Sequence, residues 1–142
     1  MKGKRIALLV AAGSGARTGA AIPKQYAQLA GKPLITHAVD HLRHPLIDEI
    51  RVVIGEGQQP LYQAALGAHG LPAPIIGGAT RQQSVRNGLE AVAADPPAQI
   101  FIHDAARPFL PAAVIERLAE ALTHSDAVVP ALPVVDSLAR DE

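Results

Sequence analysis

The chain has 142 residues, 49% hydrophobic and 18% charged, which is the composition of one globular domain with a substantial core. Its 13 Lys and Arg balance 13 Asp and Glu, so no basic excess points to a nucleic-acid groove or a polybasic membrane patch. Cysteine is absent, which excludes disulfides, thiolate zinc sites and a cysteine nucleophile, and no apolar run approaches the ~18 residues of a membrane span.

The opening MKGKRIALLVAAG has the outline of a signal peptide, but its apolar part is short, and Gly13 and Arg17 break the pattern soon after. Residues 5–11 read instead as a strand covered on both faces, with a cytoplasmic location by default. A glycine-rich stretch comes next. Leu34, Ala38 and Leu42, flanked by Ile35 and Val39, then predict a helix over 33–43 that Pro45 stops. EIRVVIG, 49–55, predicts a second strand, 58–69 a helix, and 73–76 a short third strand.

Thr80 is placed to cap a helix whose apolar face is Val85, Leu89 and Val92. A fourth strand is expected over 99–103. Pro111 opens a helix with Val114, Ile115, Leu118 and Leu122 on one side. The run 126–135 is apolar but carries Pro130 and Pro133, so it is expected as an edge strand or a bend.

Strands alternating with helices predict an α/β fold: a Rossmann-like three-layer sandwich with a mostly parallel sheet. Right-handed crossovers bring the loops after each strand to one edge, where such sheets bind ligands. Four polar clusters fall in those loops, at 13–24, 77–84, 103–107 and 136–137. No repeat or linker interrupts the chain, so residues 1–142 are expected as one domain.

The glycine stretch excludes two familiar phosphate binders. No Gly-Lys-Ser/Thr follows Gly13, so it is not a P-loop. Gly13 and Gly15 match a dinucleotide fingerprint, but Thr18 stands at its third place and the first plausible acidic residue, Glu56, comes far too late. There is left bare backbone at Gly13 and Gly15 with cations at Arg17 and Lys24. Gly admits phosphate oxygens to backbone N–H groups, Arg forks two oxygens, and Lys supplies a point charge. The glycines alone fit a tight strand-to-helix turn equally well. The two cations in the same loop favour a triphosphate attacked at its α-phosphorus.

Three blocks in order, AAGSGARTG…PKQY…LAGKPLITH, GGATRQQSVRNGL and HDAARPF, resemble 2-C-methyl-D-erythritol 4-phosphate cytidylyltransferases. The resemblance covers residues 6 to about 137 and implies the nucleotide-diphospho-sugar transferase type of fold. It implies transfer of a cytidylyl group from CTP to methylerythritol phosphate with release of pyrophosphate and with Mg²⁺, in non-mevalonate isoprenoid synthesis. Under it Ala11, Ala12, Gly13 and Gly15 match the CTP cradle, and Arg17 and Lys24 match the catalytic pair that stabilises charge at phosphorus. Gly78 and Ser84 fall in the segment reading cytosine and ribose. Asp104, Ala105 and Arg107 match the substrate turn, with Arg107 on the substrate phosphate and Asp104 contacting nucleotide, substrate or the metal. Ser137 stands where the family has Thr. Ala79 departs from an acidic residue common in the family.

The family also continues past this length, with a dimerising arm and further residues of the alcohol-phosphate site. The resemblance thus implies a homodimer whose arm lies outside this chain. Read without the resemblance, HDAARP is a capped turn in which Asp104 pairs with Arg107. His37, Asp40, His41 and His44 read as a solvated helix face, His103 as a strand-end histidine, and Tyr26 and Phe109 as packing groups. Arg81 suits a phosphate contact and helix solvation equally. The rival functions are a cytidylyltransferase for ribitol 5-phosphate, a hexose-phosphate nucleotidyltransferase, a CTP-binding domain without turnover, and a dehydrogenase.

Overall fold

The computed structural model describes residues 3–14, 22–137 and 139. Strand β1 (Arg5–Ala11) leads towards a single 3-10 turn, Lys24–Tyr26. A small antiparallel hairpin follows, β2 (Gln28–Leu29) and β3 (Lys32–Pro33), and then helix α1 (Leu34–Leu42). Next come β4 (Glu49–Ile54), α2 (Gln59–Leu66), β5 (Ile75–Ile76), α3 (Arg81–Val92), β6 (Gln99–Asp104) and α4 (Ala112–Ala121).

The main sheet has the order β5-β4-β1-β6, and every pair in it is parallel. Ala11 stands opposite Ile54, and Val10 opposite Asp104, so three strands finish level with one another. Parallel strands need helical crossovers, and the crossovers bury both faces. Ala7, Leu9, Ala11, Ile50, Val52 and Ile54 point to one face, against α1, α2 and α4. The opposite face meets α3, where Gly88 sits so close to Leu8 that a Cβ would lie 2.6 Å from a Leu8 methyl. The result is the expected three-layer sandwich. Leu8 is fully buried, and burying a side chain of this kind contributes about 1.5–3 kcal/mol.

Helix α3 is capped as predicted. The Thr80 hydroxyl accepts the Gln83 N–H at 3.1 Å, and the Gln83 side chain returns to accept the Ala79 N–H at 2.9 Å.

One expectation is narrowed, one element is additional to those expected, and one expectation is corrected. The apolar run 126–135 forms no strand: its prolines withhold ladder N–H groups, and Val129, Leu132, Val134 and Val135 are exposed. The β2–β3 hairpin was not foreseen. It turns through Ala30 (φ 48°) and Gly31 (φ 83°), a pair of positive φ values that matches the right-handed strand twist. Finally, His37 does not belong to a solvated face. It is buried, and its Nε2–H donates to the Leu29 carbonyl at 2.6 Å, which ties α1 to the hairpin.

Candidate nucleotide site

A cavity of about 720 Å³ opens at the carboxyl ends of β1 and β6, beside the start of α3. That size suits a small-molecule ligand, and the position is where open α/β sheets bind theirs. Three segments build it. The end of β1 and the turn after it supply 10–14, the β5–α3 connection supplies 78–81 with Ser84, and the end of β6 supplies 104–106.

The first segment is held by two buried glutamines, of which Gln25 also lines the cavity. Gln25, on the 3-10 turn, donates its amide hydrogens to the Ala11 and Gly13 carbonyls, both at 2.7 Å. Gln58, just before α2, donates to the Gly13 carbonyl at 3.1 Å and accepts the Gly55 N–H at 3.0 Å.

The second segment is tight for a different reason. Ser84 is 1% exposed, and its hydroxyl accepts the Gly78 N–H at 3.1 Å. At Gly77 a Cβ would lie 2.5 Å from the Ser84 hydroxyl oxygen and 2.7 Å from the Ala12 Cβ. Only glycine lets this wall approach the turn after β1 so closely.

The third segment extends the ladder, since the Ala105 N–H donates to the Val10 carbonyl at 3.0 Å. Beyond it the chain turns back. The Arg107 N–H donates to the Asp104 carbonyl, and His103 Nε2–H donates to the Arg107 carbonyl at 2.7 Å. Phe109 then rests against His37 and His41, each ring pair 5.4 Å between centroids.

Seven of the residues singled out from sequence meet on this one cavity: Ala11, Ala12, Gly13, Gly78, Ser84, Asp104 and Ala105. Lys24 is exposed one residue before Gln25, and Arg107 is exposed on the turn after β6. Neither lines the cavity itself, and neither does Ser137, which is exposed in the irregular segment after α4. Gly15 and Arg17 lie outside the described residues.

The pairing expected for Asp104 is corrected. Its partner is Arg81, whose Nε donates to the carboxylate at 2.9 Å, because α3 starts beside the end of β6. Arg107 is exposed and meets Asp104 through its backbone N–H, which donates to the Asp104 carbonyl at 3.0 Å. Phe109 is half exposed, so it covers the two histidines rather than packing into the core.

Gln25 and Gln58 were missed. Gln25 belongs to the PKQY block, but nothing in the sequence marks its amide as a buried donor, and Gln58 carries no sequence signal. Beside them Tyr26 is buried, and burial pushes its phenol well above the ordinary tyrosine range.

Among the described residues lining the cavity, Asp104 is the one carboxylate. Among the described residues no group of three or more His, Asp or Glu is gathered to hold a metal ion. No described helix is long and apolar enough to cross a membrane.

Fold and cavity together define a class: a doubly wound α/β domain with a ligand site between the ends of its first and last parallel strands and a glycine-rich approach. Comparison with known proteins narrows it. Residues 5–142 match the family described as IspD, 2-C-methyl-D-erythritol 4-phosphate cytidylyltransferase, and the chain belongs to that family.

The chain is 56% identical over 137 residues to the bifunctional enzyme IspD/IspF of Rhizorhabdus wittichii, covering 96% of this chain and 35% of that protein. It is 46% identical over 134 residues to the bifunctional enzyme IspD/IspF of Novosphingobium aromaticivorans, covering 94% and 35%. Among solved structures, a 4-diphosphocytidyl-2C-methyl-D-erythritol synthase superposes with a TM-score of 0.79 at 32% identity, over 100% of this chain and 65% of that one. The bifunctional IspDF of Campylobacter jejuni shares the fold, with a TM-score of 0.77 at 24% identity, over 96% of this chain and 35% of that one. The chain therefore spans about a third of the length of the curated relatives it matches.

Proposed function

We propose that the cavity binds CTP and that the protein to which this chain belongs transfers the cytidylyl group to 2-C-methyl-D-erythritol 4-phosphate. The observation that carries the reading is the meeting of Ala11–Gly13, Gly78 and Asp104–Ala105 on one cavity, in a chain of the IspD family. An oxygen of the alcohol's phosphate attacks the α-phosphorus of CTP and forms a new P–O–P link. The bond from the α-phosphorus to the oxygen bridging to the β-phosphate breaks, and pyrophosphate leaves with that electron pair. The attacking phosphate is already ionised, so no protein nucleophile or base is needed. Catalysis is then alignment and charge stabilisation.

In this reading the turn after β1 holds the triphosphate, with Arg17 and Lys24 offsetting charge as the phosphorus becomes crowded. Gly78 and the start of α3 bound the nucleoside. Arg107 and Ser137 serve the alcohol phosphate.

Mg²⁺ belongs to the same proposal. It takes most of its ligands from phosphate oxygens and water and needs only one or two carboxylates, and Asp104 fits the protein's share. Arg81 holds that carboxylate now, so it must share it or release it. When bound, the ion would neutralise negative charge on the nucleotide phosphates. The cytoplasm, where nucleoside triphosphates are kept, is the compartment this reading requires.

The test is pyrophosphate release with CTP, methylerythritol phosphate and Mg²⁺, run beside ribitol 5-phosphate, on this chain and on any longer natural form. Turnover with methylerythritol phosphate supports the proposal. Turnover with ribitol 5-phosphate alone, or CTP binding without release in the longest form, overturns it.

A further inference from the structure

We propose that Gln25 and Gln58 are positioning residues that fix the main chain leaving β1, and through it the phosphate end of the nucleotide site. The inference rests on reading the cavity as that site. Both side chains are buried, 6% and 8% exposed, and both are spent on main-chain groups rather than on the core around them.

The chemistry fixes their orientation. Gln25 meets the Ala11 and Gly13 carbonyl oxygens, so the atom facing them must be its NH₂ and not its oxygen. Gln58 adds a second donor to the Gly13 carbonyl at 3.1 Å. Its own oxygen accepts the Gly55 N–H at 3.0 Å and lies 3.4 Å from the Gln25 amide. The described peptides are trans, so each N–H points away from the preceding carbonyl. Drawing the Ala11 and Gly13 carbonyls inward turns the N–H groups of Ala12 and Ser14 the other way. Ala12, Gly13 and Ser14 line the cavity, as does Gln25, while Gln58 does not.

The arrangement does three things at once. It occupies two carbonyl oxygens that would otherwise oppose a phosphate. It fixes Gly13, which has no side chain of its own to do so. It also ties Lys24 to that segment, because Gln25 is the next residue on the same 3-10 turn. Gly55 makes the insertion possible, since a Cβ there would lie 2.7 Å from the Gln58 amide nitrogen and 3.0 Å from the Ala12 carbonyl oxygen.

The experiment compares Gln25→Leu, Gln25→Glu, Gln58→Met and the double variant Gln25→Leu/Gln58→Met with the parent. Amide hydrogen exchange is followed segment by segment, and CTP affinity is measured calorimetrically with Mg²⁺. Gln25→Glu keeps the size of the side chain but, when ionised, has nothing to donate, so it guards against simple unfolding of the leucine variant. Faster exchange is expected within 11–14 and not in α4, with a Kd for CTP raised about 10–100-fold. The KM for the alcohol phosphate should stay near the parent value. Because both amides share the Gly13 carbonyl, the double variant should lose less than the product of the single losses.

Unchanged exchange at 11–14 in folded Gln25→Glu overturns the proposal, as does a uniform rise in exchange across the domain with CTP affinity falling only in step with Tm. A parent that fails to bind CTP defeats the nucleotide reading, and the exchange data then still decide whether the two glutamines hold the turn.

Discussion

Two walls of the same cavity are secured in opposite ways. The β1 wall is gripped by buried amides, Gln25 and Gln58, and pressed by Gly77 and Ser84 from the α3 side. The wall at the end of β6 joins the sheet through the Ala105 N–H on the Val10 carbonyl, but the Asp104 side chain and the turn beyond make surface contacts: an exposed Arg81–Asp104 pair, a histidine on a backbone carbonyl, and Phe109 lying half exposed on two histidines. Buried hydrogen bonds fix geometry because leaving either partner unpaired is costly, whereas exposed pairs contribute little and yield easily. On the reading proposed above, the β1 wall is the nucleotide's and is built ahead of binding. On the same reading the turn beyond β6, which carries Arg107, is held by contacts that yield more easily.

The largest effect is expected on the rigid side. Lys24→Ala should lower kcat by about 100–1000-fold while changing CTP affinity less than about tenfold, because its charge is needed most as the phosphorus becomes crowded. Equal losses in kcat and affinity would mean that Lys24 only binds ground-state nucleotide. Gly77→Ala comes next. Its Cβ would meet Ser84 and Ala12 well inside contact distance, so urea unfolding should show a loss of about 1–3 kcal/mol together with weaker CTP binding. A variant as stable as the parent would show that this wall gives way.

On the loose side, Phe109→Ala should cost about 1 kcal/mol or less, since the ring is 55% exposed and its contacts are a tilted one with His37 and an edge one with His41. Its effect belongs in kinetics: the KM for the alcohol phosphate rises several-fold while the KM for CTP holds. A shift in CTP alone would reverse the assignment of the two walls.

The same contrast explains how much the sequence could tell. The sheet was legible because β1 is a nearly continuous apolar run, as a buried parallel strand must be, and β4 and β6 carry the shorter β-rich stretches 52–54 and 100–102. The cavity walls were legible through Gly13, a local signal in the loop after β1, whereas Gly78 and Asp104 were placed there by the family resemblance, since read alone HDAARP is a capped turn. Gln25 and Gln58 were not legible. A glutamine amide reveals its role only when distant carbonyls reach it, and the Gln58 contact to Gly13 spans 45 residues. The hairpin escaped for a local reason: Ala30-Gly31 lacks the Asn or Asp that marks such turns, and Ala30 adopts φ 48° regardless. His37 escaped because period-based reasoning places a helix residue on a face without knowing that a hairpin will cover it.

The smallest effect should come from a site on neither wall, which makes it the control for both. Glu49 begins β4, at the end of the sheet opposite the cavity. The hydrogen bond from Lys4, opposed in part by burial and reinforced by the charges of Lys4 and Arg51, holds its carboxyl below the ordinary carboxylate range. A carboxylate with a lowered folded-state pKa contributes stability above its unfolded value and loses that contribution as pH falls through the folded one. Glu49→Gln should therefore be less stable than the parent at neutral pH by no more than about 1 kcal/mol, and the gap should close in strong acid. High salt should narrow the gap at neutral pH, because Lys4 is solvent-accessible. CTP affinity should not move in this variant. If it does, the two ends of the sheet are coupled, and the rigidity assigned to the β1 wall is shared along the strands rather than made locally by the two glutamines.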